Sequence, residues 1–347
     1  MKITVLFPVV AILLHLLVSV VEVGAKPNKI LKKQDMPDKQ FQLTSRFQDG
    51  IIEDTDGESP YLMYVTGYLI TTTRQLLTTS TTELEYRKCT GSLITPCWTL
   101  TSAMCYFYPD LLSDMQSFVY VIRGGYTDED TPDENIQYIN ATTCDAYVHP
   151  FYDEMNRDFN VLLLNACFRI DNFVKPIPVH DIVPRDTIDE LLDYEDEDAF
   201  FMVYGFGSAS GNGDVMSYAG VLFSQDFEDC LSEIPDMPLS NGCAQIVGLL
   251  NEPLVCSGDV GGPLVVHLPL TGANTIVMLV GVVSFPPSRE YDAACGNISY
   301  EDDNDQTVNL FTFEDMESIS DWVWNTIQKC DSQCCNNDKT HKNILGI

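Results

Sequence analysis

The sequence predicts an all-β chain closed by a single helix. Three observations carry this: short apolar or alternating runs recur between turn residues, one late segment has helical period, and twelve cysteines stand in 347 residues. The runs, in order, are Leu93 to Leu100, Phe118 to Ile122, Val161 to Leu164, Phe200 to Tyr204, Leu264 to Leu268 and Ile276 to Val283. Many are rich in Val, Ile, Phe and Tyr, which suit a pleated surface. The helix is predicted over Met316 to Gln328, where Ile319, Val323 and Ile327 recur every fourth residue and so share one face. No long internal repeat, Gly-rich phosphate loop or metal-ligand cluster stands out.

The amino-terminal end reads as a signal peptide, residues 1–25: Lys2, a long apolar run through Val21, then the small residues Gly24 and Ala25. A membrane anchor is the alternative, because about 18 apolar residues can span a bilayer. No later segment is apolar enough to span. A leader together with twelve cysteines indicates an oxidising compartment and a disulfide framework rather than metal binding. The expected localisation is therefore secreted and extracellular.

Charge is unevenly spread. Asp and Glu number 51 against 19 Lys and Arg, a net charge of -32. Yet residues 26–46 form a basic arm with Lys26, Lys29, Lys32, Lys33, Lys39 and Arg46 against Asp35 and Asp38. Acidic runs fall in expected loops, at Asp128 to Glu134, Asp186 to Asp198 and Glu301 to Asp305. Such runs ordinarily form a solvated surface. The negative field argues against nucleic acid or an anionic membrane as partner and favours a protein with a basic surface. The basic arm itself is one candidate to lie on the acidic body. Asn140-Ala-Thr142 and Asn297-Ile-Ser299 are glycosylation sequons, expected on surface loops. The Thr-rich stretch between Val65 and Lys88 reads as an O-glycosylated or simply mobile loop.

Several segments in fixed order resemble one known family. Cys89-Thr-Gly-Ser-Leu-Ile94 is followed by Leu100-Thr-Ser-Ala-Met-Cys105; His149-Pro-Phe-Tyr152 precedes Phe159-Asn-Val-Leu-Leu-Leu164; then come Gly205-Phe-Gly207, Cys256-Ser-Gly-Asp-Val-Gly-Gly-Pro263 and Gly281-Val-Val-Ser-Phe285. These resemble the marker segments of trypsin/chymotrypsin-like serine proteases from about residue 47 to 328. The resemblance implies two six-stranded antiparallel Greek-key β-barrels with a carboxy-terminal helix, a domain over 47–328 and a Cys-containing tail over 329–347. It further implies the bridges Cys89 to Cys105, Cys230 to Cys243 and Cys256 to Cys295. Cys97 and Cys167 lie on neighbouring strands of that fold, so a bridge between them is expected, and Cys144 is placed within reach of the tail, where Cys330, Cys334 and Cys335 lie.

Carried over by position, the resemblance places Met104 where the family has its general-base histidine, Asn160 where it has the orienting aspartate, and Val260 where it has the nucleophilic serine. That chemistry needs an attacking hydroxyl, an imidazole to take its proton and a carboxylate to hold the imidazole. None of the three replacements can supply its part, so no hydrolysis is expected. No other histidine takes over: His15 lies in the leader, His149 in a surface segment, and His180, His267 and His341 at no family catalytic position. The specificity-pocket positions carry Leu254, Pro286 and Asn309, side chains that would fill the slot. Gly258 keeps the turn of the loop. Asp259 stands where active relatives pair a new amine after cleavage; the local match for that cut is Arg46, which would leave Phe47 first. No cofactor is expected. Calcium at Asp128 to Glu134 is considered because a loop there binds it in some relatives, and no metal site is assigned.

The resulting reading is a secreted non-catalytic homologue, of a kind with many invertebrate precedents. It would act by binding an extracellular protein, a protease or its substrate, as cofactor or regulator of a proteolytic cascade. The competing expectation is a structural or storage-like acidic glycoprotein of egg, seminal or silk material. An active endopeptidase ranks third.

Overall fold

The computed structural model describes residues 59–75, 78–108, 112–113, 116–155, 157–179, 200–207, 215–223, 234, 237–238, 240–247, 255–256, 258–269, 275–284, 298–301 and 307–333. Within them two antiparallel sheets follow one another along the chain. The first comprises β1 (Leu62–Gln75), β2 (Thr78–Thr95), β3 (Trp98–Thr101), β4 (Gln116–Gly124), β5 (Gln137–Thr142), β6 (Ala146–Val148) and β7 (Leu162–Asn165), in the order β5-β4-β1-β2-β3-β7-β6. Its two end strands are halves of one run of chain, divided by the short 3-10 turn Thr143–Asp145. The sheet therefore curls until a single bent run borders both β4 and β7.

The second sheet comprises β8 (Phe200–Gly205), β9 (Ser217–Phe223), β10 (Asn241–Val247), β11 (Pro263–Pro269), β12 (Thr275–Ser284), β13 (Ile298–Glu301) and β14 (Thr307–Asp315). Here β10 pairs with both β9 and β14, closing a ring that leaves β13 as an arm on the far end of β14. Seven labelled strands per sheet thus reduce to the six-stranded barrels that the resemblance implied. Helix α1 (Met316–Gln333) follows β14 directly. It buries Met316, Ile319, Val323 and Ile327 against the β12 and β14 region, and each such side chain contributes about 1.5–3 kcal/mol of burial. The helix continues past the expected end at Gln328.

Alternation decides the first barrel's interior. In β4 every second residue is buried, Phe118, Tyr120 and Ile122 pointing inward, and these join Met63, Val65, Leu162 and Leu164 in one cluster. A larger cluster fills the second barrel and the seam between the barrels, and both Met104 and Val260 belong to it. Cys89–Cys105 and Cys97–Cys167 are bridged as expected. Cys243 and Cys256 are also disulfide-bonded, while Cys230 and Cys295 lie outside the described residues.

Five expectations are corrected. The run Leu93 to Leu100 is two strands, β2 and β3, joined by a turn at Pro96 and Cys97, because proline supplies no ladder donor. The Thr-rich stretch is no loop: it forms the extended β1–β2 hairpin, paired from Leu62↔Ser92 to Gln75↔Thr78 with one bulge that shifts the register between Gly67 and Tyr68. β-branched threonine favours that conformation over a mobile one. Asn140 is exposed but lies in β5, opposite Val121, rather than in a loop. Cys144 is an exposed free thiol on the bend between β5 and β6, not bridged to the tail. His149 is buried, 6% exposed, because Phe159 stacks on its ring at 4.4 Å and Trp322 of α1 meets it edge-on at 4.9 Å.

Candidate functional site

The seam between the barrels gathers the three residues in question, each through its backbone neighbours. Ser102 starts the 3-10 turn Ala103–Cys105, so Met104 hangs directly below the end of β3, 4% exposed. The Ser102 hydroxyl donates to Asn160 Oδ1 at 2.8 Å and the Met104 N–H donates to the same oxygen at 3.0 Å. Asn160 Nδ2 donates to Ser284 Oγ at 2.8 Å. Every polar atom of the Asn160 amide is thus engaged, and the residue is fully buried. Arg87 donates from its guanidinium to the Met104 carbonyl.

Val260 closes the third side. Its carbonyl accepts from Thr90 N–H at 3.0 Å, and the Thr90 hydroxyl donates to Gly258 O at 2.7 Å while accepting from Phe206 N–H at 3.0 Å. One threonine of β2 therefore ties the loop to the first barrel. Gly261 has φ +85° and its backbone lies so close to Thr101 and Ser102 that a Cβ would fall 2.6 Å from Ser102 N. Only glycine tolerates that approach and that dihedral together. The Val260 side chain is fully buried in the seam cluster with Met104.

Two carboxylates frame the loop and strand. Asp259 accepts from Gly207 N–H at 2.6 Å and from Cys256 N–H at 2.8 Å; burial raises its pKa to about 6 against the pull of those two donors. A Cβ on Gly205 or Gly207 would collide with that carboxylate, which explains the glycine pair flanking Phe206. The second carboxylate was not singled out from sequence. Glu314, fully buried in β14, accepts from Asn160 N–H at 2.8 Å, and Asn241 turns its amide nitrogen to the other oxygen at 3.1 Å. Burial lifts its pKa to about 8, opposed by the hydrogen bonds from Asn160 and Ser240, so it holds its proton at neutral pH. Its only sequence signal was an acid in an alternating aromatic strand, Phe311-Thr-Phe-Glu314.

This arrangement holds backbone segments together through the hydrogen bonds of Ser102, Asn160 and Thr90. A thioether does not take a proton near neutral pH, and an isopropyl group has no lone pair. The Gly258 N–H is turned to Cys256 O at 3.1 Å, inside its own loop, and a Cβ there would lie 2.9 Å from Gly207 Cα. Close approach to Gly207, as well as the turn, therefore explains that glycine. His149, whose pKa burial depresses to about 4, spends its Nδ1 on Phe151 N–H at 3.3 Å. His267, likewise depressed to about 4 by burial, lies on β11 against Phe200 and Tyr204.

A family model described as Trypsin matches residues 72–297, well over half of the chain. The chain belongs to the trypsin family. Among curated relatives, chicken urokinase-type plasminogen activator is 28% identical over 212 residues, covering 57% of this chain and 44% of its own length. The chain thus spans less than half of that relative. In this trypsin-family chain β14 and α1 lie beyond the matched residues, yet complete the second barrel and its cover.

The remaining expected positions are not brought to the site by described coordinates. Leu254, Pro286, Cys230, Cys295, Asn297, Arg46 and Phe47 lie outside the described residues, as do His15, His180 and His341. Asn309 is in β14 opposite Ser299 of the β13 arm. The Asp128 carboxylate accepts from Asp130 N–H at 2.9 Å and from the Thr131 hydroxyl at 3.1 Å, holding its own turn together. Among the described residues no group of three or more metal-ligating side chains is assembled, and no helix is long and apolar enough to cross a membrane.

Proposed function

We propose that this trypsin-family chain is a secreted, non-catalytic member that acts by binding another extracellular protein with a basic surface. One observation carries the reading: Met104, Asn160 and Val260, which the resemblance equates with base, orienting acid and nucleophile, are buried and committed to packing or structural hydrogen bonds. Acyl transfer needs a hydroxyl, a base and an orienting acid in mutual reach. A net charge of -32 selects a cationic partner through long-range attraction. The family's proteolytic cascades supply such partners, as protease or as substrate.

Treatment of the purified chain with a fluorophosphonate probe, before and after trypsin cleavage, is expected to leave no covalent label. Stoichiometric labelling would reinstate an endopeptidase. Capture of a basic extracellular protease or its substrate from the source fluid, lost when salt is raised, is the positive counterpart.

A further inference from the structure

Among the described residues the β1–β2 hairpin leaves one sheet edge open. Among them β3 covers β2 only at Gly91–Thr95, whereas Ser80–Glu85 pair with β1 alone and Tyr86 is the extra residue of a bulge opposite Gly67 and Tyr68. Alternate N–H and C=O groups of this stretch therefore point away from the sheet, the kind of edge that templates another strand. All seven residues are exposed, and two are large and apolar, Leu84 at 62% and Tyr86 at 40%. Tyr86 rests edge-on against the buried rings of Phe107 at 5.2 Å and Phe118 at 5.7 Å. Glu83 and Glu85 alternate with the apolar pair.

One segment of the same chain has the complementary pattern. Lys39-Gln-Phe-Gln-Leu-Thr-Ser-Arg46 alternates with period two, Phe41 and Leu43 on one side and Gln40, Gln42 and Thr44 on the other, with a cation at each end. It is the least proline- and charge-interrupted part of the basic arm. Reach is sufficient: the twelve residues between Arg46 and Ser59 extend up to about 40 Å. From Leu62 to Ile70, the partner of Glu83, β1 advances only about 27 Å.

We propose that residues 39–46 add to the free edge of β2 over Ser80–Tyr86 as an extra strand. Backbone bonds complete the edge, Phe41 and Leu43 cover Leu84 and Tyr86, Arg46 faces the Glu83 and Glu85 side, and Lys39 flanks the apolar face at the other end of the strand beside the acidic edge. No cysteine lies in residues 26–46, so a cut after Arg46 would leave the strand on a separable peptide and open the edge to a partner. The inference does not depend on loss of catalysis, because its readout is strand protection rather than labelling of a nucleophile.

The test is amide hydrogen exchange over Ser80–Tyr86 in the full chain and in the double variant Phe41→Asp/Leu43→Asp. Exchange there should be about tenfold or more faster in the variant, with Leu162–Asn165 unchanged as the control for folding. Adding a synthetic peptide of residues 36–46 to the variant should restore protection, and the same peptide with Lys39→Glu and Arg46→Glu should not. Should the double variant misfold, the charge reversal Lys39→Glu/Arg46→Glu in the full chain serves instead, with faster edge exchange again expected. Equal exchange in wild type and variant overturns the proposal. So does edge protection that grows with protein concentration, which would place a second copy there.

Discussion

Replacing Glu314 by Gln should remove one loss of stability with rising pH between pH 6 and 8. The folded pKa of Glu314 is about 8, against a usual value of 4.5, and burial is the cause. Between those values the unfolded carboxyl is ionised while the folded one stays protonated, so the folded state binds one proton more. Stability then falls as pH rises, by up to about 1.4 kcal/mol per pH unit. The slope eases near the folded pKa, leaving a loss of about 2 kcal/mol from pH 6 to 8 and about 1 kcal/mol from pH 7 to 8. Asp259, raised to about 6 by burial, completes its loss below that window's upper half. His149 and His267, both lowered to about 4 by burial, withdraw stability as pH falls through 6.5, in the lower half of that window, but equally in both chains, so the difference between wild type and variant isolates Glu314. Gln keeps an oxygen for Asn160 N–H, and Asn241 can rotate its amide to accept from the new nitrogen. The assay is denaturant unfolding with disulfides intact, followed by the fluorescence of the three tryptophans, at pH 6, 7 and 8. Wild type and Glu314→Gln changing in parallel across that range would refute a protonated Glu314.

Two further substitutions test the seam. Val260→Ser restores a hydroxyl but neither base nor orienting acid, so it should turn over no peptide ester; it should also cost about 1–3 kcal/mol by burying an unpaired hydroxyl, and clear turnover sinks the argument. Asn160→Asp replaces the Ser284 donor by an acceptor and sets a second carboxyl beside Glu314, so the variant should be about 2–4 kcal/mol less stable at pH 8 and recover in part near pH 5. A stability difference that ignores pH would contradict the placement of those two groups.

How legible the fold was depended on whether burial was one-sided. β4 alternates because one face of it meets the barrel interior, and its apolar residues Phe118, Tyr120 and Ile122 announce that in sequence. Strands covered on both faces lose that signal. The run from Leu93 to Leu100 reads as one strand because β2 and β3 are both buried there, and only Pro96 marks the turn between them. Glu314 was hidden for the same reason: an acid alternating with Phe311 and Phe313 looks solvent-facing, yet Thr312 and Glu314 are themselves buried, where Glu314 meets Asn160 of the first barrel. His149 was hidden by distance along the chain, since Trp322, which covers it, comes far later.

The loop around Val260 keeps its family pattern for reasons that packing alone supplies. Cys256 is held by a disulfide and donates its N–H to Asp259; Asp259 in turn requires glycine at 205 and 207; Gly261 is pinned by its dihedral and by Ser102; and Thr90 binds three backbone groups across the seam. Changing any one of these leaves a buried polar group unpaired or two backbones in collision, at about 1–3 kcal/mol each. The Val260 side chain carries none of those bonds; only its carbonyl does. A position whose backbone is fixed and whose side chain lies in the apolar seam cluster is free to gain stability from a valine. Retention of the motif around Val260 is therefore a statement about the seam between two barrels, and it says nothing in favour of a reaction there.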